Sequence, residues 1–169
     1  MMMFSVLAIS TALFVGCGSG ETPNDTPDPA PAEDGAHGDA VDPHDVPITE
    51  EQKAELKTET AKFADAIAKI KELRDAIETE TKDGIPANPF DAHQALDKLD
   101  IILPWLPGIA RDSGVAKENW EAVNTAANDL RTLFESIHTN IDAGNDPGFA
   151  GVQADIDTKI AELSAIAPQ

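Results

Sequence analysis

The chain has 169 residues, with 31 acids against 12 bases and a net charge of −19. Such a surface repels phosphate backbones and anionic headgroups, so nucleic-acid binding is excluded as a function class and the excess acid serves solubility. The single cysteine excludes an internal disulfide, so the fold must hold by burial alone. About 120 residues remain once the N-terminal segments are set aside, a length that fits one domain.

Residues 1–16 read as a signal segment. Phe4 to Val15, FSVLAISTALFV, runs for twelve residues without a charge. That length suits the apolar region of a secretory signal and is too short to span a bilayer as a mature helix. Val15-Gly16-Cys17 follows, with Gly18 and Ser19 behind it. This stretch resembles the lipobox of bacterial lipoproteins, in which aliphatic and small residues precede a cysteine. The resemblance implies that the Cys17 thiol receives a diacylglyceryl group, that the signal is cut between Gly16 and Cys17, and that the new amine is acylated. It also implies a cell-envelope protein facing the periplasm or the cell exterior, with the outer membrane favoured because no aspartate follows the cysteine. The membrane is thus one expected partner, reached through lipidated Cys17. Each buried methylene contributes about 0.8 kcal/mol and one chain alone binds reversibly, so two or three chains on one cysteine anchor a protein essentially permanently.

Residues 17–47 read as a disordered, lipid-anchored linker. Gly18 to Pro47 carries six of the twelve prolines, four glycines, eight acids and no base. It lacks an apolar period and cannot bury enough surface to offset its ordering entropy. Proline and like-charge repulsion extend such a chain, and thirty residues at about 3.1 Å each reach roughly 90 Å. His37 and His44 lie there among Asp34, Asp39, Asp42 and Asp45. Their spacing matches neither an EF-hand nor a zinc site, so a solvated tether is expected.

From residue 48 to 169 the pattern is helical. Thr49-Glu50-Glu51-Gln52 has the form of a capping box, and Leu56, Thr60, Phe63, Ile67, Ile70, Arg74 and Ile77 follow at alternating four- and three-residue steps. One helix is expected over 50–82, stopped by Gly84 and Pro86. Asn88-Pro89 opens a second helix, with Ala92, Leu96, Leu99 and Leu103 on its apolar face. Pro104 and Pro107 should kink or end it, with one irregular turn to Ala110. A third helix follows from Trp120, Val123, Ala127, Leu130, Phe134, Ile137 and Ile141, with Val115 stapled onto Trp120 and Gly144-Asn145 as the stop. Asp146-Pro147 caps a fourth, carrying Phe149, Val152, Ile156, Ile160, Leu163 and Ile166. Four amphipathic helices joined by short loops predict an all-α, antiparallel four-helix bundle. The domain resembles periplasmic four-helix bundles, and its residues 92–123 resemble small lipoproteins with a similar helix–LPWLP–helix segment.

Bundle cores often hold haem or di-iron, so the ligand residues decide which chemistries remain open. No Cys-x-x-Cys-His motif occurs, and all three methionines stand at the extreme N-terminus. Di-metal carboxylate bundles need two Glu-x-x-His motifs, and only Glu135-x-x-His138 is found. His93 has Asp97 four residues on, and His138 has Asp142 four residues on. Each imidazole is expected on the shoulder of an apolar face, not deep inside, and bonded to its own aspartate. If the shoulders meet, a bis-histidine haem site or a histidine–carboxylate metal site follows. The sequence has no nucleophile elbow, phosphate loop or zinc-protease motif, so no catalytic residue, enzyme activity or cofactor is expected. Ile101 to Ile109, IILPWLPGI, is denser in apolar residues than one stripe can bury. Trp105, Leu106 and Ile109 therefore form either a surface for a protein partner or a cap on the core. The expected function is a lipid-anchored, non-enzymatic envelope protein whose bundle is a binding or spacer module, the alternative being a metal- or haem-binding bundle using His93 and His138.

Overall fold

In the computed structural model, residues 46–166 are described, and all regular structure among them is helical. The expected signal segment, the expected lipidation and cleavage positions Cys17 and Gly16, and the expected tether through residue 45 lie outside the described residues. The first helix, α1 (Glu50–Glu59), begins with the capping box legible in the sequence. The Thr49 N–H donates to Gln52 Oε1 at 2.8 Å, and the Gln52 N–H donates to Thr49 Oγ1 at 3.2 Å. Two of the free N–H groups of the first turn are thereby satisfied.

The expected single helix over 50–82 is two helices. After α1 the chain breaks at Thr60 to Lys62, and α2 spans Phe63–Thr81. Thr60 is fully buried, and its hydroxyl donates to the Leu56 carbonyl at 2.7 Å. A β-branched hydroxyl residue that bonds its own backbone weakens helix continuation. Lys62 is extended, and the freed Phe63 N–H donates to Ser113 Oγ at 2.9 Å. A side chain fifty residues away therefore caps the new helix, and Phe63 enters the core with no exposure.

The expected kink or stop at Pro104 does not occur: α3 runs unbroken from Phe90 to Asp112 through both prolines. Each proline removes one backbone bond and costs a helix interior about 3 kcal/mol. That cost is offset by burial, because Leu99, Ile102, Leu103, Leu106 and Ala110 are all in the core, while Pro104 stays exposed. Helical stability in proteins comes mostly from such packing. Gly114 closes the helix at a φ of +78°, with the Val115 N–H donating to the Ala110 carbonyl at 3.0 Å.

A 3₁₀ turn at Lys117–Asn119 leads into α4 (Trp120–Asp142). Val115 is buried, and the Trp120 indole N–H donates to its carbonyl at 2.9 Å, so the expected staple forms with a hydrogen bond added. The last helix, α5, spans Phe149–Ile166. Helix α2 packs on α3, α3 on α4, α4 on α5, and α5 on α2, while α1 lies against α3 and α2. The stripes read from the sequence fill the core between them, from Ile67, Ile70 and Ile77 through Leu130, Phe134 and Ile137 to Ile156 and Leu163.

Among the described residues Arg74 is the one buried guanidinium, and the α2–α5 packing explains it. Its Nε and Nη2 donate to the two oxygens of Asp157 on α5 at 2.9 and 3.0 Å. Its Nη1 donates to Asp75 and Glu78, and the guanidinium lies 5.3 Å from the centre of the Phe149 ring. A planar fork with paired donors is what makes an arginine tolerable at that depth.

Candidate functional site

Helix α3 carries His93, Asp97 and Asp100, at steps of four and three. Helix α4 carries Glu135, His138 and Asp142, at steps of three and four. Either spacing keeps its three residues on one face of a helix. The packing of α3 on α4 then brings the two faces into contact.

His93 Nδ1 lies 3.0 Å from His138 Nε2, a hydrogen-bond distance. The two rings meet edge to face, with centroids 4.9 Å apart and planes at 71°. Asp142 Oδ1 lies 3.3 Å from His93 Nε2 and 3.8 Å from His138 Nε2. Ligand atoms of His93, His138 and Asp142 all fall within 4.8 Å of one another, and so do those of Asp100, Glu135 and His138. His138 thus belongs to both groups. Solvent reaches the site from one side: His93 is 3% exposed, while the Asp142 side chain is 57% exposed.

The shoulder position expected for the histidines holds for His138, which is half-buried, and fails for His93, which is in the core. The reason is geometric. Helix α3 is flanked by α2 and α4, so its covered surface is wider than one stripe. Ala92, His93, Ala95 and Leu96 are all buried there. The pairing of each histidine with its own aspartate also changes. Asp142, an α4 residue, sits closer to His93 of α3 than to His138 of its own helix. Asp100 was not singled out in the sequence, although it stands seven residues after His93 and so shares its face.

Asp97 is half-buried beside these groups. Burial is the largest influence on its carboxyl and raises its pKa; His138 and His93 pull it back, and Asp100 and Asp142 push it up again. The net pKa lies above the ordinary aspartate value of 3.8. The folded chain therefore holds this proton more tightly than the unfolded chain does. Asp97 favours the fold below its unfolded pKa, and that contribution is lost as pH rises through the folded value. Asp97→Asn removes the dependence. Its melting temperature relative to the parent should rise between about pH 4 and about pH 7, and thermal melts across that range check the sign.

The proposed partner surface divides. Trp105 and Ile109 are half-buried and, with Lys57, Thr60, Ala61 and Asp112, line a surface hollow of about 340 Å³. Leu106 has no exposure and packs in the core, so it does not belong to that surface. The helix that continues through Pro104 and Pro107 turns Leu106 inward, where an irregular turn could have presented it.

The 3.0 Å contact also bears on haem. An iron between two axial histidines holds their nitrogens about 4 Å apart, twice a metal–nitrogen bond of about 2.0 Å. Rings already touching edge to face leave no gap for a macrocycle. No family model, curated protein or solved structure matches the chain.

Proposed function

We propose that the chain is a lipid-anchored, non-enzymatic protein of the cell envelope, whose helices form an antiparallel four-helix bundle that serves as a binding module. The anchor is supported by the uncharged run Phe4 to Val15 ending in Val15-Gly16-Cys17, and by the acidic, proline-rich stretch behind it. The bundle is supported by the cycle of packed pairs from α2 through α5 and by the short connections between them. Among the described residues, no helix is long and apolar enough to cross a membrane.

The observation that favours a binding module over a spacer is the histidine pair at the α3–α4 seam. A spacer needs only a filled core, and two apolar residues would fill this position without cost. A buried imidazole in contact with a half-buried one beside a carboxylate is costly to place there and serves recognition better than packing. The groups gathered there are imidazoles and carboxylates, with the chain's single thiol assigned to the lipid. Mass spectrometry of the mature chain tests the anchor. Cys17 should be the first residue and carry two or three acyl chains, and an unmodified thiol there would sink the proposal.

A further inference from the structure

We infer that the histidine pair binds one divalent late first-row transition ion, Zn²⁺ or Cu²⁺, between His93 Nδ1 and His138 Nε2. The inference rests on the reading of the bundle as a binding module. Imidazole nitrogens suit Zn²⁺, Cu²⁺ and Ni²⁺, and affinity along the first row peaks at Cu²⁺. With metal–nitrogen bonds of 2.0 to 2.1 Å, two nitrogens stand about 2.9 Å apart at a right angle and about 3.3 Å apart on a tetrahedron. The 3.0 Å separation falls between these values, so the two nitrogens already stand at the spacing one ion requires and the rings need only turn toward it.

Asp142 completes the arrangement. Its Oδ1 lies 3.3 Å from His93 Nε2, and a carboxylate so placed favours the tautomer with the proton on Nε2 and the lone pair on Nδ1. A ligating histidine held by a carboxylate on its other nitrogen recurs at metal sites, fixing tautomer and ring orientation. With the His93 proton on Nε2, the proton in the 3.0 Å contact belongs to His138 Nε2. The arriving ion takes its place, and His138 carries its proton on Nδ1 instead. Both rings stay neutral, two nitrogen–metal bonds form, and no net proton is released.

Charge favours a cation at this place. Asp97, Asp100, Glu135 and Asp142 surround the two imidazoles, and ligand atoms of Asp100 and Glu135 lie within 4.8 Å of one on His138. The exposed side at Asp142 admits the ion from solvent and leaves its remaining positions to water. One buried and one half-buried imidazole with an open face make a site that an ion reaches from solvent.

The test uses the full chain in detergent, titrated with Zn²⁺ alone and with Cu²⁺ alone against a chromophoric chelator. One ion per chain should bind at the pair, and the Cu²⁺ electron paramagnetic resonance spectrum should show two nitrogen donors. Asp142→Asn should weaken binding by about 10- to 100-fold, the usual loss for an outer-shell partner. His138→Gln should weaken it further than Asp142→Asn. His138 is half-buried, where exchange disturbs the core less than at His93, so this variant keeps the test valid even if His93→Gln fails to fold. The double variant His37→Ala/His44→Ala should leave affinity at the pair unchanged, which separates it from the tether. Affinity unchanged in His138→Gln, or a spectrum without nitrogen donors, overturns the inference. A chain that is acylated at Cys17 yet binds neither ion also overturns it, and leaves the anchor standing.

Discussion

Ile137→Asp should unfold the helical domain at neutral pH. Ile137 has no exposure and lies on α4 in the same stripe as Leu130, Phe134 and Ile141. A carboxylate there has lost its water and faces aliphatic side chains. Burial of an unpaired charge is among the few mechanisms that cost about 4 kcal/mol or more, and a domain of this size has a net stability of about 5 to 15 kcal/mol. The loss should ease at acid pH, because a desolvated carboxyl takes up a proton before it accepts burial as an anion. Far-UV circular dichroism melts give the measurement. The parent should melt cooperatively, while the variant should be largely unfolded at neutral pH and partly restored in acid. Glu118→Ala, at an exposed position on the 3₁₀ turn, should melt with the parent. A cooperative melt of Ile137→Asp within a few degrees of the parent would show that α4 does not bury this face.

Cys17→Ala should move the protein out of the membrane fraction. The proposed anchor consists of acyl chains on one residue, and their hold scales with length at about 0.8 kcal/mol per methylene. A single chain gives only marginal, reversible attachment, so loss of all chains should shift the partition by several orders of magnitude. Among the described residues, no helix is long and apolar enough to cross a membrane. With a net charge of −19 the protein should also be repelled by anionic headgroups. Fractionation followed by carbonate washing reads the outcome. Undiminished retention of Cys17→Ala in the washed membranes would mean that attachment does not run through the cysteine. Loss of the anchor should leave the fold intact, because burial and not the lipid holds α1 to α5 together.

The amino-acid sequence by itself determined the helices and their buried faces. Period and capping are local properties: the stripe from Val123 to Ile141 and the capping box at Thr49 follow from residues within a few turns of each other. It also carried the candidate ligands, because His93 with Asp97 and His138 with Asp142 stand at one-turn spacing. Only the tertiary structure decided the break at Thr60 to Lys62, since the Phe63 N–H is capped by Ser113 from fifty residues away. It alone carried α3 through Pro104 and Pro107, where core contacts outweigh two missing backbone bonds and turn Leu106 inward. Above all it brought His93 to His138. Whether two shoulders meet depends on how each helix is rotated about its axis and where along its length it meets its neighbour. Those quantities are set by side-chain packing over the whole α3–α4 interface and leave no mark on the spacing within either helix.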